Sequence, residues 1–182
     1  MRIGVSGAHG TGKTTLVEEL CARLAGHTPV DEPYVLLEEE GYEFDFPPSP
    51  DDYRAQLTRS LLELSSPATR IVFDRTPVDF LAYLAVQGVN IETEADPAAL
   101  RSVLASLDLL IMVPITYDTE QVLPHPEMLR LRQAVNDTLL DLVYNDPLQV
   151  LGDVPVIELT GPLDERPEVV LAALPDHGRP TG

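Results

Sequence analysis

Gly7-Ala8-His9-Gly10-Thr11-Gly12-Lys13-Thr14 satisfies every fixed position of the pattern G-x-x-x-x-G-K-[ST]. Gly7, Gly10 and Gly12 permit backbone angles and close approaches that a Cβ forbids, so the loop amides can turn inward as a nest for phosphate oxygens. Lys13 then reaches the outer phosphates and the Thr14 hydroxyl takes a Mg²⁺ position. The candidate phosphate site runs from Gly7 through Ala8, His9, Gly10, Thr11, Gly12, Lys13 and Thr14 to Thr15, with His9 lining the loop. The flanks agree with this reading. Arg2–Ser6 is an apolar run suited to a buried strand, and Lys13–Ala25 carries Leu16, Leu20 and Leu24 on one helical face. The N-terminal dipole of that helix adds to the anion site.

Outward from the loop, short β-branched runs alternate with longer amphipathic ones, the pattern of β-α units around a parallel sheet. Strands are predicted at Arg2–Ser6, Thr28–Glu32, Arg70–Asp74, Leu107–Ile115 and Val154–Leu159. Three helices open on a capping residue followed by proline: Ser49-Pro50, Thr76-Pro77 and Asp96-Pro97. These predict helices over Pro50–Leu64, from Thr76 to about Gln87, and from Asp96 to about Ser106. Further helices are expected over Glu127–Tyr144 and Asp164–Leu174, with a loop at Tyr117–Pro126. The expected domain is a single one over residues 1–174, with a frayed tail over 175–182. It is an α/β three-layer sandwich whose five-stranded parallel sheet has helices on both faces.

The chain has 182 residues, 44% of them hydrophobic, and no apolar run near the roughly 20 residues of a membrane span. Its N-terminus has no signal-peptide layout. The one cysteine, Cys21, falls near the Leu16/Leu20 face and is expected in the core, and with no internal disulfide to make, a cytoplasmic location is expected. Twelve basic residues against thirty acidic ones give a net charge of −18, a field that repels nucleic-acid backbones and anionic membranes. Lys13 is the single lysine. Nine acids and no base lie between Asp31 and Asp52; if they rim a pocket, they disfavour an anionic ligand and favour a neutral or cationic one.

A phosphate loop alone does not specify chemistry. No N-K-x-D sequence for reading guanine is present. Arg70–Asp74 is the one predicted strand of apolar residues ending in an acid, which makes Asp74 the candidate to hold Mg²⁺ through water.

Three segments together resemble the P-loop small-molecule kinases: Gly7–Thr14, Asp31-Glu32-Pro33-Tyr34 after the second strand, and Asp74-Arg75-Thr76-Pro77 after the third. The nearest likenesses are to deoxynucleoside kinases, thymidylate kinases and nicotinamide riboside kinase-like domains. The longer stretch Asp74–Tyr83 resembles a subgroup described as AAA-type ATP-binding domains. The resemblance implies the strand order 2-3-1-4-5, ATP and Mg²⁺ as cofactors, and a small, nucleoside-like hydroxyl acceptor. It implies catalytic roles for Lys13, Glu32 and Arg75, with Glu32 accepting the hydroxyl proton, as a carboxylate at a strand's C-terminal end is placed to do. Arg75 would hold charge spread over phosphoryl or acceptor oxygens. Tyr34, Gln56 and Asp79 join Glu32 and Arg75 on the acceptor side. Arg130 and Arg132 are the lid candidates; two residues apart on one helix, they do not share a face. Arg166, after the last strand, falls on the adenine side. Two other functions stay open at this stage: a nucleoside monophosphate kinase gripping its acceptor with Arg54, Arg59 or Arg75, and a nucleotide-dependent switch that binds a protein. Monomer and homodimer are both compatible with the sequence.

Overall fold

The computed structural model describes residues 1–122 and 128–174. Five parallel strands form one sheet: β1 (Arg2–Ser6), β2 (Thr28–Val30), β3 (Ile71–Asp74), β4 (Leu109–Met112) and β5 (Val156–Glu158). Their order is β2-β3-β1-β4-β5, the 2-3-1-4-5 expected from the sequence. Eight helices connect or flank them among the described residues. They are α1 (Lys13–Arg23), α2 (Pro33–Glu39), α3 (Pro50–Ser65), α4 (Pro77–Val86), α5 (Pro97–Leu104), α6 (Tyr117–Val122), α7 (Leu129–Tyr144) and α8 (Arg166–Ala173). None of the described helices is long and apolar enough to cross a membrane.

The central strands have apolar side chains on both faces, as a sheet covered by helices on both sides demands. Alternation then sorts them into two cores. Ile3, Val5, Val72, Leu109 and Ile111 pack with Leu16, Leu20 and Val170 of α1 and α8. Ile71, Phe73, Leu110 and Met112 pack with Leu57, Phe80, Leu84, Leu104 and Leu139 of α3, α4, α5 and α7. Cys21 is half-buried at the margin of the first of these cores.

Caps hold two of the helices that matter to the site. Ser49 and Asp52 form a capping box on α3, with Ser49 N–H donating to Asp52 Oδ2 at 2.7 Å. Thr76 and Asp79 form another on α4. At the other end of α3, Arg2 of β1 donates to Leu64 O at 2.6 Å and Ser66 O at 2.9 Å, binding carbonyls that the helix leaves unpaired.

Several ends shift by a few residues, β4 shortening from the expected Leu107–Ile115 to Leu109–Met112, and two segments differ more from the sequence-based expectation. The second strand stops at Val30, and Pro33 starts α2 inside the acidic stretch, with Glu32 as its extended N-cap residue. The segment expected as a loop from Tyr117 begins as α6, where Thr116 Oγ1 accepts from Thr119 N–H at 3.3 Å. The rest of that expected loop, residues 123–126, and the expected tail lie outside the described residues.

Candidate functional site

The phosphate loop sits over the C-terminal end of β1, where the crevice of a parallel sheet opens. Its glycines are required by geometry. A Cβ on Gly7 would lie 2.4 Å from the carbonyl oxygen of Val113, and Gly12 has φ 84°, in the left-handed region. Gly12 is the N-cap of α1 and supplies no side-chain cap, which leaves the helix N-terminus to a ligand.

Five successive loop carbonyls each accept a hydrogen bond from a cationic side chain. Arg75 Nη1 donates to Gly7 O at 3.1 Å and Lys13 Nζ to Ala8 O at 2.8 Å. Arg132 donates to His9 O at 2.8 Å through Nε and to Gly10 O at 3.1 Å through Nη2, while its Nη1 pairs with Glu120 of α6. Arg166 Nη1 donates to Thr11 O at 2.8 Å, and its Nε to Gly161 O at 3.1 Å. With its carbonyls engaged in this way, the loop's amides after Gly7 are the groups left to face an anion.

Lys13, Arg75, Arg132 and Arg166 are all buried. Burial, with Arg75 nearby, pulls the Lys13 ammonium down to about 8, against the opposing pull of Asp74, Asp79 and Glu32. Burial likewise lowers Arg166. Arg130 is exposed, on a different face of α7 from buried Arg132.

The two candidate metal residues meet. Thr14 Oγ1 donates to Asp74 Oδ2 at 2.6 Å, and Asp74 Oδ1 is a buried oxygen with no hydrogen-bond partner. Burial pushes the Asp74 carboxyl up, against the attraction of Lys13. An orphaned carboxylate oxygen beside a hydroxyl fits Mg²⁺, which takes one or two protein oxygens and completes its shell with water and phosphate. No cluster of three or more His, Cys, Asp or Glu side chains occurs among the described residues, so nothing there resembles an all-protein metal cage.

On the other side of the loop, Asp79 of α4 is fully buried and organises the turn after β3. Its Oδ1 accepts from Gly7 N–H at 3.0 Å, its Oδ2 from Thr76 N–H at 2.9 Å, and Arg75 Nη1 lies 3.4 Å away. Arg75 adopts φ 78° to turn its guanidinium back under the loop. Its Nε donates to Glu32 Oε2 at 2.7 Å. Burial alone pushes the Glu32 carboxyl up, but the Arg75 guanidinium, by charge and hydrogen bond, holds it below the usual carboxylate value. Burial opposes the charge on Arg75, while Tyr83, Glu32 and Asp79 around it raise it well above the ordinary arginine value.

Glu32 and Arg75 open onto a cavity of about 380 Å³ that reaches His9 of the loop. Tyr34 and Gln56 line it as well, whereas Asp79 lies beneath it and acts through Arg75 and Gly7. Sequence reasoning missed its walls. Tyr53 and Tyr83 stack with ring centroids 4.7 Å apart, Phe44 and Phe46 line the cavity from the chain after α2, and Tyr83 OH meets His9 Nδ1 at 3.1 Å. The spacing of Tyr53 and Gln56, three apart on α3, was the available signal. On the far side of the loop a smaller hollow of about 50 Å³ lies between Gly12, Thr15, Leu16, Leu163, Arg166 and Pro167.

A 2-3-1-4-5 parallel sheet with a glycine-rich loop closing on a lysine and a threonine defines a P-loop nucleotide-binding domain. The chain belongs to the family described as AAA domain, which matches residues 2–166. Its fold is shared with solved small-molecule kinases. The deoxyadenosine kinase from M. mycoides, with products dCMP and a flexible dCDP bound, aligns over 94% of this chain and 97% of its own, with TM-score 0.64 and 19% identity. Thymidylate kinase from Candida albicans aligns over 94% and 89%, with TM-score 0.62 and 13% identity. NadR protein in complex with NR aligns over 88% of this chain but 45% of its own, with TM-score 0.59 and 25% identity. No curated protein matches the chain by sequence.

Proposed function

We propose that this protein transfers the terminal phosphoryl group of ATP to a hydroxyl of a small, nucleoside-like molecule. The observation that carries the reading is the position of Glu32. Its carboxylate is held by Arg75 at 2.7 Å, is kept ionised, and lies on the wall of a cavity that also touches the phosphate loop. A base so placed accepts the hydroxyl proton as the acceptor oxygen forms its bond to phosphorus, while the bond to the leaving ADP oxygen breaks and its electron pair departs with ADP. Mg²⁺, when bound, offsets negative charge on the phosphates, and Thr14 and Asp74 are the residues to hold it. Lys13 exchanges its bond to Ala8 O for the outer phosphates, and Arg132 and Arg166 keep the loop carbonyls turned away from them. The cavity size falls within the usual range for small-molecule sites.

Two observations speak against a monophosphate acceptor. Arg54 is paired with Asp51 and Glu94, and Arg59 with Glu40 and Glu63, and neither lines the cavity. Arg75 does line it, already shared between Glu32, Asp79 and Gly7 O. A phosphate there would find no unpaired arginine or lysine among the described lining residues. The aromatic cavity beside the phosphate loop also favours a kinase over a protein-binding switch, which has no use for an acceptor pocket. The test is ADP formation from Mg·ATP across neutral nucleosides, their monophosphates and other small alcohols. A kinase turns over only when its acceptor is present; a rate indifferent to every acceptor would overturn the proposal. We further propose that residues 1–174 act as one functional unit in the cytoplasm.

A further inference from the structure

One buried carboxylate of the acidic stretch has no part in phosphoryl transfer itself. Asp52, the third residue of α3, is buried, and its hydrogen-bond donors among the described residues are all neutral. Ser49 N–H and Ser49 Oγ donate to its Oδ2 at 2.7 and 2.8 Å, the exchange that caps the helix. Two further bonds do nothing for the helix. Asp45 N–H donates to Oδ2 at 3.3 Å and Tyr42 OH to Oδ1 at 3.2 Å, from seven and ten residues back in the chain. Burial pushes the Asp52 carboxyl up, but the bonds from Ser49, Tyr42 and Asp45 outweigh it and hold it below its ordinary value. It therefore stays ionised and serves only as an acceptor.

The segment so held carries one wall of the acceptor cavity, Phe44 and Phe46. Phe44 stacks on Tyr34 of α2 with centroids 4.3 Å apart, and Tyr42 leans on Phe44 at 4.7 Å. The three rings form one stack whose last hydroxyl ends on Asp52. The segment leaves α2 through Gly41 at φ 88°, with Tyr42 N–H donating to Leu37 O at 2.9 Å. Nearer α3, Pro47 and Pro48 have no N–H to give, and Gln87 Nε2 donates to Pro48 O at 3.1 Å. Asp52 thus grips the middle, where the aromatic rings are. Building on the kinase reading above, we propose that Asp52 is a positioning residue of the acceptor site, clasping residues 42–46 to the start of α3 so that the Tyr34–Phe44 wall stands ready before the acceptor arrives. A wall already in place need not be ordered on binding, whereas one free to swing away lowers the apparent affinity by the fraction of time it is in place.

Amide exchange and steady-state kinetics on the full chain test this with three variants. Tyr42→Phe removes one bond of the clasp and keeps the ring, Asp52→Asn weakens clasp and cap together, and Ser49→Ala weakens the cap alone. The acceptor probe is whichever common ribo- or deoxyribonucleoside gives the fastest ADP formation from Mg·ATP with the wild type. In Tyr42→Phe, exchange over residues 42–46 should quicken about fivefold or more, and the nucleoside KM should rise about three- to tenfold. Its kcat and its KM for ATP should stay within about twofold. Asp52→Asn should raise the nucleoside KM about tenfold or more. Ser49→Ala should lower the melting temperature by a few degrees and leave the nucleoside KM within about twofold. A nucleoside KM unmoved in Tyr42→Phe, or raised as much by Ser49→Ala, overturns the proposal and leaves the kinase standing, with Asp52 a helix cap only. Unchanged exchange over residues 42–46 in Tyr42→Phe overturns it whatever the acceptor. No nucleoside raising ADP formation, by contrast, removes the nucleoside kinase reading and the positioning role with it.

Discussion

Asp79→Ala removes a carboxylate that is fully buried and satisfies three groups at once. The amide of Gly7, 3.0 Å away, and the amide of Thr76, 2.9 Å away, lose their acceptor, and Arg75 loses one of its two carboxylates. Loss of the capping box on α4 costs about 1 kcal/mol. Leaving the Gly7 amide buried and unpaired adds about 1–3 kcal/mol, and the weakened Arg75 about 1 kcal/mol more, because Glu32 and Gly7 O still hold it. The expected destabilisation is about 3–5 kcal/mol. At roughly 2–4 °C per kcal/mol for a domain of this size, the melting temperature should fall by about 6–20 °C. Thermal and urea unfolding followed by far-ultraviolet circular dichroism measure this directly. Asp79→Asn keeps one acceptor oxygen and should lose about half as much. A loss below about 1 kcal/mol for Asp79→Ala would refute the argument that this carboxylate ties the phosphate loop to the Arg75–Glu32 pair.

Lys13→Ala should leave the fold intact and lower turnover by several orders of magnitude, since it removes charge stabilisation from the phosphates; near-normal turnover in a folded variant would remove the loop's assignment. Asp74→Asn should weaken Mg²⁺-dependent ATP binding measured by calorimetry, with little change in binding of ATP without metal, because the orphaned Oδ1 is the oxygen offered to the ion. ATP affinity should also depend on alkaline pH through Lys13. Its pKa is about 8 in the free protein against an ordinary 10.5, and bound phosphates favour the charged form, so binding takes up a proton above pH 8. Affinity should then fall up to tenfold per pH unit from about pH 8, an effect absent in Lys13→Ala.

The phosphate loop and the capped helices α3, α4 and α5 were legible because each rests on local chemistry, whereas the sheet order followed from the resemblance to the P-loop kinases. Glycines stand where a Cβ cannot go, a single lysine precedes a threonine, and cap-then-proline pairs open helices. The short helix α2 carries only half of that signal, since Pro33 opens it but Glu32 before it makes no side-chain cap, and its seven residues show too little apolar periodicity to stand out from the acidic run around them. What the sequence concealed is long-range. Arg132 was visible as a cation on a helix, yet its seat on His9 O and Gly10 O spans more than 120 residues. Asp79 likewise reaches Gly7, 72 residues away, and the Tyr53–Tyr83 wall forms only where α3 meets α4. Such pairings are set by tertiary packing and leave no periodic trace.

Glu32 carries the central claim, and its most direct test is phosphorus NMR of Mg·ATP with an acceptor, run on the wild type, Glu32→Gln and Asp31→Asn. Glu32→Gln keeps the side chain's shape but cannot accept a proton, whereas Asp31 is exposed and outside the cavity lining. The account predicts a phosphomonoester signal that grows in step with ADP only when the acceptor is present. It also predicts a rate about 10²-fold or more lower in Glu32→Gln with ATP affinity within a few-fold, and a wild-type rate in Asp31→Asn. Release of inorganic phosphate at a rate indifferent to acceptor and to Glu32→Gln would contradict it.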